Sequence, residues 1–160
     1  MGRTDNLNEE RMRLLGSRLA DLDLIEMVQY FPSGKEDRVV VSFEASYFPN
    51  VVDTANLEFR LRLNGDFNFQ YREDWSGESW TCRWDRHPNS HNRREHFHIP
   101  PRPQEENAID ADFPDNPNEI LKLILETIEN RINDLWTATT NPEFPAEYEF
   151  EGEYGDDWLC

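Results

Sequence analysis

Residues 56–74 read N-L-E-F-R-L-R-L-N-G-D-F-N-F-Q-Y-R-E-D, and this stretch decides the fold. Apolar side chains recur at every second position, Leu57, Phe59, Leu61 and Leu63, then Phe67, Phe69 and Tyr71. Glu58, Arg60 and Arg62 take the positions between. Neighbouring side chains of an extended chain point to opposite faces, so the alternation describes two strands with one apolar and one wet face. Asn64-Gly65 between them is a strong hairpin signal, because a tight turn needs residues that tolerate positive φ. Strands are predicted at 56–64 and 66–74, with Leu63 on the inward face.

Outward from this hairpin the same pattern continues. Residues 23–31 and 38–46 read as strands on either side of a Pro32-Ser33-Gly34 turn, and a helical turn is expected at 51–55. Ser76-Gly77 turns the chain into a further strand at 79–85. Apolar residues at three- and four-residue steps place helices at 6–21 (Met12, Leu15, Leu19, Leu22) and 117–136 (Leu121, Ile124, Leu125, Ile128, Ile132, Leu135). Asn6 with Glu9 has capping-box spacing, and Asn116-Pro117-Asn118-Glu119 is a helix start. The expectation is an α+β fold. An antiparallel meander of about five strands is covered on one face by an N-terminal and a C-terminal helix. Residues 1–137 are expected to form one domain, and residues 138–160 a mobile acidic tail interleaved with aromatic residues.

Composition narrows the class. Thirty-three acids stand against sixteen bases, for a net charge of −17, and only Lys35 and Lys122 among the bases are lysine. An acidic, lysine-poor surface suits solubility in molar salt, and the source is read as a halophilic archaeon. No stretch reaches the apolar length of a membrane span and no signal-peptide core is visible, so a cytoplasmic protein is expected. Cys82 and Cys160 have no metal-knuckle or disulfide spacing, and Cys82 reads as a small core residue.

Residues 80–101 break the acidic pattern. All four histidines, His87, His91, His96 and His98, fall in one twelve-residue window. Arg83, Arg86, Arg93 and Arg94 accompany them, against Asp85 and Glu95 alone. Three chemistries fit. His96 and His98 share one side of an extended segment and can hold a metal ion completed by His87, His91 or Asp85; the neighbouring arginines and the lack of any H-E-x-x-H spacing oppose this. Arginine forks can instead bind phosphate while histidines supply the acid and base for attack of a 2′-hydroxyl on a phosphodiester, with Trp84 near enough to stack a base. Finally, the cluster can be structural, its histidines satisfying loop carbonyls.

Tyr71-Arg72-Glu73-Asp74-Trp75, Arg83-Trp84-Asp85, His87-Pro88 and His96-Phe97-His98 together resemble the TumE family of toxin–antitoxin proteins. Members carry a Tyr-rich strand, an R-W-D-N-A-P-H-H element and an H-x-H close followed by a helix. The sequence departs at Arg86-His87, where the family has Asn-Ala, and at Asn89-Ser90-His91, where the histidine pair is interrupted. The resemblance spans residues 25–136 and implies a small toxin silenced by an antitoxin protein. With the residues' own chemistry, it makes His96, His98, Asp85 and His87 the catalytic candidates. Arg83, Arg86, Arg93, Arg94 and Trp84 are the substrate-binding candidates. The expected substrate is RNA; if the chain is an enzyme, the expected activity is metal-independent and endoribonuclease-like, with neither metal nor cofactor. The alternative is a non-catalytic interaction module whose Arg/His loop is structural or binds a partner. Nothing in the residues fixes an oligomeric state.

Overall fold

The computed structural model describes residues 7–31, 37–87, 95–101 and 108–137. Helix α1 (Glu9–Ala20) leads into strands β1 (Ile25–Phe31), β2 (Arg38–Phe43), β3 (Thr54–Leu61), β4 (Phe67–Trp75) and β5 (Glu78–Arg86). Strands β6 (Glu95–His98) and β7 (Ala108–Asp110) follow, and helix α2 (Pro117–Thr137) comes last. The strands form one antiparallel sheet in strict sequence order, β1 to β7.

The α+β class and the meander agree with the sequence reading, but the sheet has seven strands rather than about five. The two extra strands are short: β6 grows from the segment His96-Phe97-His98, read as the extended end of an irregular loop, and β7 lies in a stretch read as a loop. β6 and β7 owe their pairing to the register of β5 rather than to apolar alternation of their own. Residues 45–47 form a 3-10 turn instead of ending a strand, and residue 54 already opens β3, so no helical turn occupies 51–55.

The central hairpin also turns differently. Leu61 pairs with Phe67, Arg62 N donates to Asp66 O at 2.8 Å, and Gly65 takes φ +94° at the end of a three-residue loop. Leu63 therefore sits at the loop tip, 67% exposed, and not on the inward face. The Asn64 side chain holds the loop by accepting from Asp66 N at 2.9 Å.

Register sorts the side chains into two faces. Val39, Phe59, Phe69, Trp84 and Phe97 stand side by side across β2 to β6, all buried. Both helices cover this face. Helix α1 packs on β1, β2 and β3 through Met12, Leu15 and Leu19. At Gly16 an added Cβ would stand 3.3 Å from Val28 Cγ1, so a larger residue there would press the helix off the sheet. Its cap is Asn8, which accepts from Arg11 N at 3.1 Å. Helix α2 buries the apolar stripe read from the sequence, and Asn116 Oδ1 accepts from Asn118 N at its start.

Arg131 lies in that stripe and reaches β4. It donates to Glu73 through Nε at 2.9 Å and Nη2 at 2.7 Å, while Tyr71 Oη and Trp75 Nε1 donate to the same carboxylate at 2.7 and 2.9 Å. The guanidinium also stacks 3.7 Å above the Trp80 ring. A buried charge pair needs all its lone pairs and protons used, and here both Glu73 oxygens have two donors each.

The opposite face carries Glu58, Arg60, Asn68, Gln70, Arg72, Arg83 and Asp85, with ion pairs such as Arg38 to Glu58 at 3.5 Å and Arg72 to Asp74 at 3.0 Å. No helix among the described residues is long and apolar enough to cross a membrane. The expected acidic tail, residues 138–160, lies outside the described residues.

Candidate functional site

The Arg/His stretch is built on two paired strands. Register places Asp85 of β5 directly opposite His96 of β6, and Arg83 opposite His98. All four belong to the sheet face without helices, in the rows Asn68–Asp85–His96–Asp110 and Gln70–Arg83–His98–Ala108. The two-residue period of the strand brings His96 and His98 to one side, and their rings meet edge-to-face at 5.0 Å. His87, just beyond the end of β5, turns its ring against His96 at 4.9 Å.

Asp85 is the hub. Its Oδ2 accepts from Arg83 Nε at 2.9 Å and lies 2.9 Å from His98 Nε2, 3.3 Å from His87 Nε2 and 3.5 Å from His96 Nε2. Its Oδ1 is buried and has no hydrogen-bond partner. Burial alone would push the Asp85 pKa up. Hydrogen bonds from His87 and His98 and the charge of Arg83 outweigh it and hold the carboxyl well below the usual carboxylate range.

Arg83 Nη2 also stands 3.0 Å from His98 Nε2. A guanidinium can only donate, so this contact asks the nitrogen to accept, whereas the Asp85 contact asks it to donate. One nitrogen cannot serve both at once.

Exposure separates the histidines. His96 and His98 are fully buried, while the His87 side chain is 42% and the Arg83 side chain 31% exposed. The groups of this cluster that reach solvent are therefore His87 and Arg83. Asp85, His87 and His96 each present one ligand atom, all within 4.8 Å of one another.

Two further candidates lie on the other side of the sheet. Trp84 is in the buried row beneath the helices, with no ring face for a base. Arg86 is also on that side and is 6% exposed. It donates to Glu95 Oε2 at 2.8 Å, to the Gly65 and Phe113 carbonyls at 3.3 Å and to the Pro114 carbonyl at 2.8 Å, and it caps the Phe67 ring. These bonds clamp the connection before α2 onto the sheet. Arg93, Arg94 and His91 lie outside the described residues.

Sequence reasoning names Asp85 among the catalytic candidates but not as the point on which the nitrogens converge. It missed Asp110, opposite His96 on β7, because β7 carries no strand signal of its own.

A family model described as Toxin TumE matches residues 16–132 of the 160. The match takes in every strand, the whole cluster, the C-terminal part of α1 and most of α2. No curated protein and no solved structure matches the chain.

Proposed function

The chain belongs to the TumE toxin family, and from that premise we propose that it acts on RNA through the Asp85-centred cluster. A toxin of this kind works beside an antitoxin partner. The observation that carries the reading is a half-exposed His87 bonded at 3.3 Å to a buried, ionised Asp85, beside the half-exposed fork of Arg83. A carboxylate behind an imidazole fixes its orientation and stabilises its protonated form. That gives His87 the proton-transfer role in attack of a 2′-hydroxyl on the neighbouring phosphate. The outer edge of Arg83 meets the phosphate oxygens and stabilises the charge that builds up on them.

His96 and His98 hold Asp85 from within. This differs from placing the acid/base pair on them, since a buried ring cannot meet a substrate. The near-balance of arginines and acids on this face, in a chain of net charge −17, also favours a polyanion here over the rest of the surface. The same acidic, lysine-poor composition supports work in a salt-rich cytoplasm, where ionic contacts are screened and hydrogen bonds to phosphate matter more.

Induced expression without antitoxin, beside a His87→Gln chain at equal level, tests the reading. Growth arrest with the native chain, and RNA cleavage by purified protein reduced about 100-fold or more in His87→Gln, are the expected results. The burial of His96 and His98 favours a second reading, a non-catalytic interaction module. Arrest of equal depth with both chains, and intact RNA, would select it.

A further inference from the structure

We infer that Asp85, His87 and His96 form a binding site for a first-row transition-metal dication of the zinc type, with His87 as its solvent-side ligand. Their ligand atoms lie within 4.8 Å of one another, and two of the three edges are already at coordination spacing. Bonds of about 2.0–2.1 Å to nitrogen and oxygen place tetrahedral ligands about 3.3–3.4 Å apart. His87 Nε2 and His96 Nε2 stand 3.3 and 3.5 Å from Asp85 Oδ2. Those spacings lie at the long end of hydrogen-bond distances, and they match the separation of two ligand atoms on one ion.

The carboxylate points the same way. Four nitrogens crowd Oδ2, while buried Oδ1 has no hydrogen-bond partner. Hydrogen bonding alone leaves one oxygen oversubscribed and the other costly to bury. An ion drawn between Oδ2 and two neutral imidazoles relieves the crowding and leaves Oδ1 to accept from a water on the ion. Arg83 and His98 then act behind the carboxylate, holding its orientation as outer hydrogen bonds do at metal carboxylates.

Arginine repulsion argues against the ion less than the sequence suggests. Arg86 is on the far side of the sheet, and the charge of Arg83 is offset by Asp85 itself. Two imidazoles with one carboxylate favour borderline transition ions over magnesium and calcium, which take oxygen donors.

His87 cannot ligate an ion and carry a proton at the same time. Bound zinc therefore inhibits the RNA activity; this consequence, unlike the site, rests on the function proposed above.

The test is calorimetric titration of the chelator-stripped full chain with Zn²⁺, in excess Mg²⁺ to occupy surface carboxylates. One ion per chain is expected, with affinity at least tenfold lower in both His87→Gln and His96→Gln. His87→Gln alters a ring beyond the end of β5, so it decides the matter if His96→Gln does not fold by circular dichroism. Binding that is weak, multi-site and equal in His87→Gln would overturn the site. Because the readout needs no RNA, a chain that binds one zinc yet cleaves nothing refutes the RNA reading and leaves the metal site standing. Zinc that binds at one site and leaves RNA cleavage unchanged refutes the inhibition alone.

Discussion

Glu73 and Asp85 are buried carboxylates on adjacent strands, and they face opposite ways. Glu73 points under the helices, and each of its oxygens receives two donors from Tyr71, Trp75 and Arg131. Asp85 points away from the helices; four nitrogens crowd one oxygen and none reaches the other. The first is a closed network, in which every group is used and nothing is left to bind a newcomer. The second keeps unspent capacity beside groups that reach solvent. In a low-dielectric setting a fully satisfied network stabilises the fold, whereas a partly satisfied one lowers stability and is retained where it serves a site.

The largest expected effect lies on the closed side. Arg131→Ala leaves Glu73 charged and unpaired in the core, and it should cost about 3–5 kcal/mol of unfolding free energy. Urea titration followed by fluorescence of the five tryptophans reads it directly. Asp85→Asn makes the opposite trade. It should cost about 1–3 kcal/mol, since the interactions that hold the carboxyl ionised are weakened, and lower RNA cleavage about 100-fold through loss of the group that orients His87. If Asp85→Asn unfolds the protein as readily as Arg131→Ala does, the distinction between the two carboxylates collapses.

Arg86→Lys sharpens the comparison. It keeps the charge but loses the planar fork that spans Glu95 and three carbonyls, so a loss of about 1–2 kcal/mol with unchanged RNA cleavage is expected. A cleavage defect as deep as that of His87→Gln, in folded protein, would return Arg86 to the site.

The smallest effect is one of pH. Burial, and then the Glu73 charge, push the Tyr71 phenol and the Cys82 thiol well above their ordinary values. An acid whose folded pKa is raised holds its proton more tightly when folded. Its stabilising contribution is complete below the unfolded value, about 8.5 for a thiol and about 10 for a phenol, and is lost as pH rises beyond it. The thermal midpoint should therefore fall from about pH 9 upward, and Cys82 in a Cys160→Ser background should resist alkylation until the chain unfolds. Rapid alkylation of the folded protein would show that the closed network opens.

Much of this arrangement was legible in the sequence, and the remainder was not for identifiable reasons. Alternation through Leu57, Phe59, Phe67 and Phe69 placed β3 and β4, and the stripe from Leu121 to Leu135 placed α2, because large apolar faces dominate burial. The closed network left a signal that was not used: Glu73 stands at an inward position between Tyr71 and Trp75, and Arg131 within the stripe of α2. An acid and a base at two apolar positions imply each other, since neither can be buried alone. The cluster was located by its histidine density, but its hub was not, because convergence on Asp85 Oδ2 follows from the β5–β6 register. Strands of four and three residues leave too little pattern to fix a register from sequence.

The unbroken order of the sheet governs how the chain is put together in time. Each strand pairs with the one made just before it, so every ladder closes a short stretch of chain at low entropic cost. The Asp85–His98 contact spans thirteen residues along the chain, whereas Arg131 must return across fifty-eight to reach Glu73. During synthesis the Asp–His cluster can form while α2 is still being made, and the core is sealed only when that helix arrives. Pulse-labelled hydrogen exchange would show this as early protection of β5 and β6 and late protection of α2. A nascent chain of this order exposes its charged cluster before its core is closed.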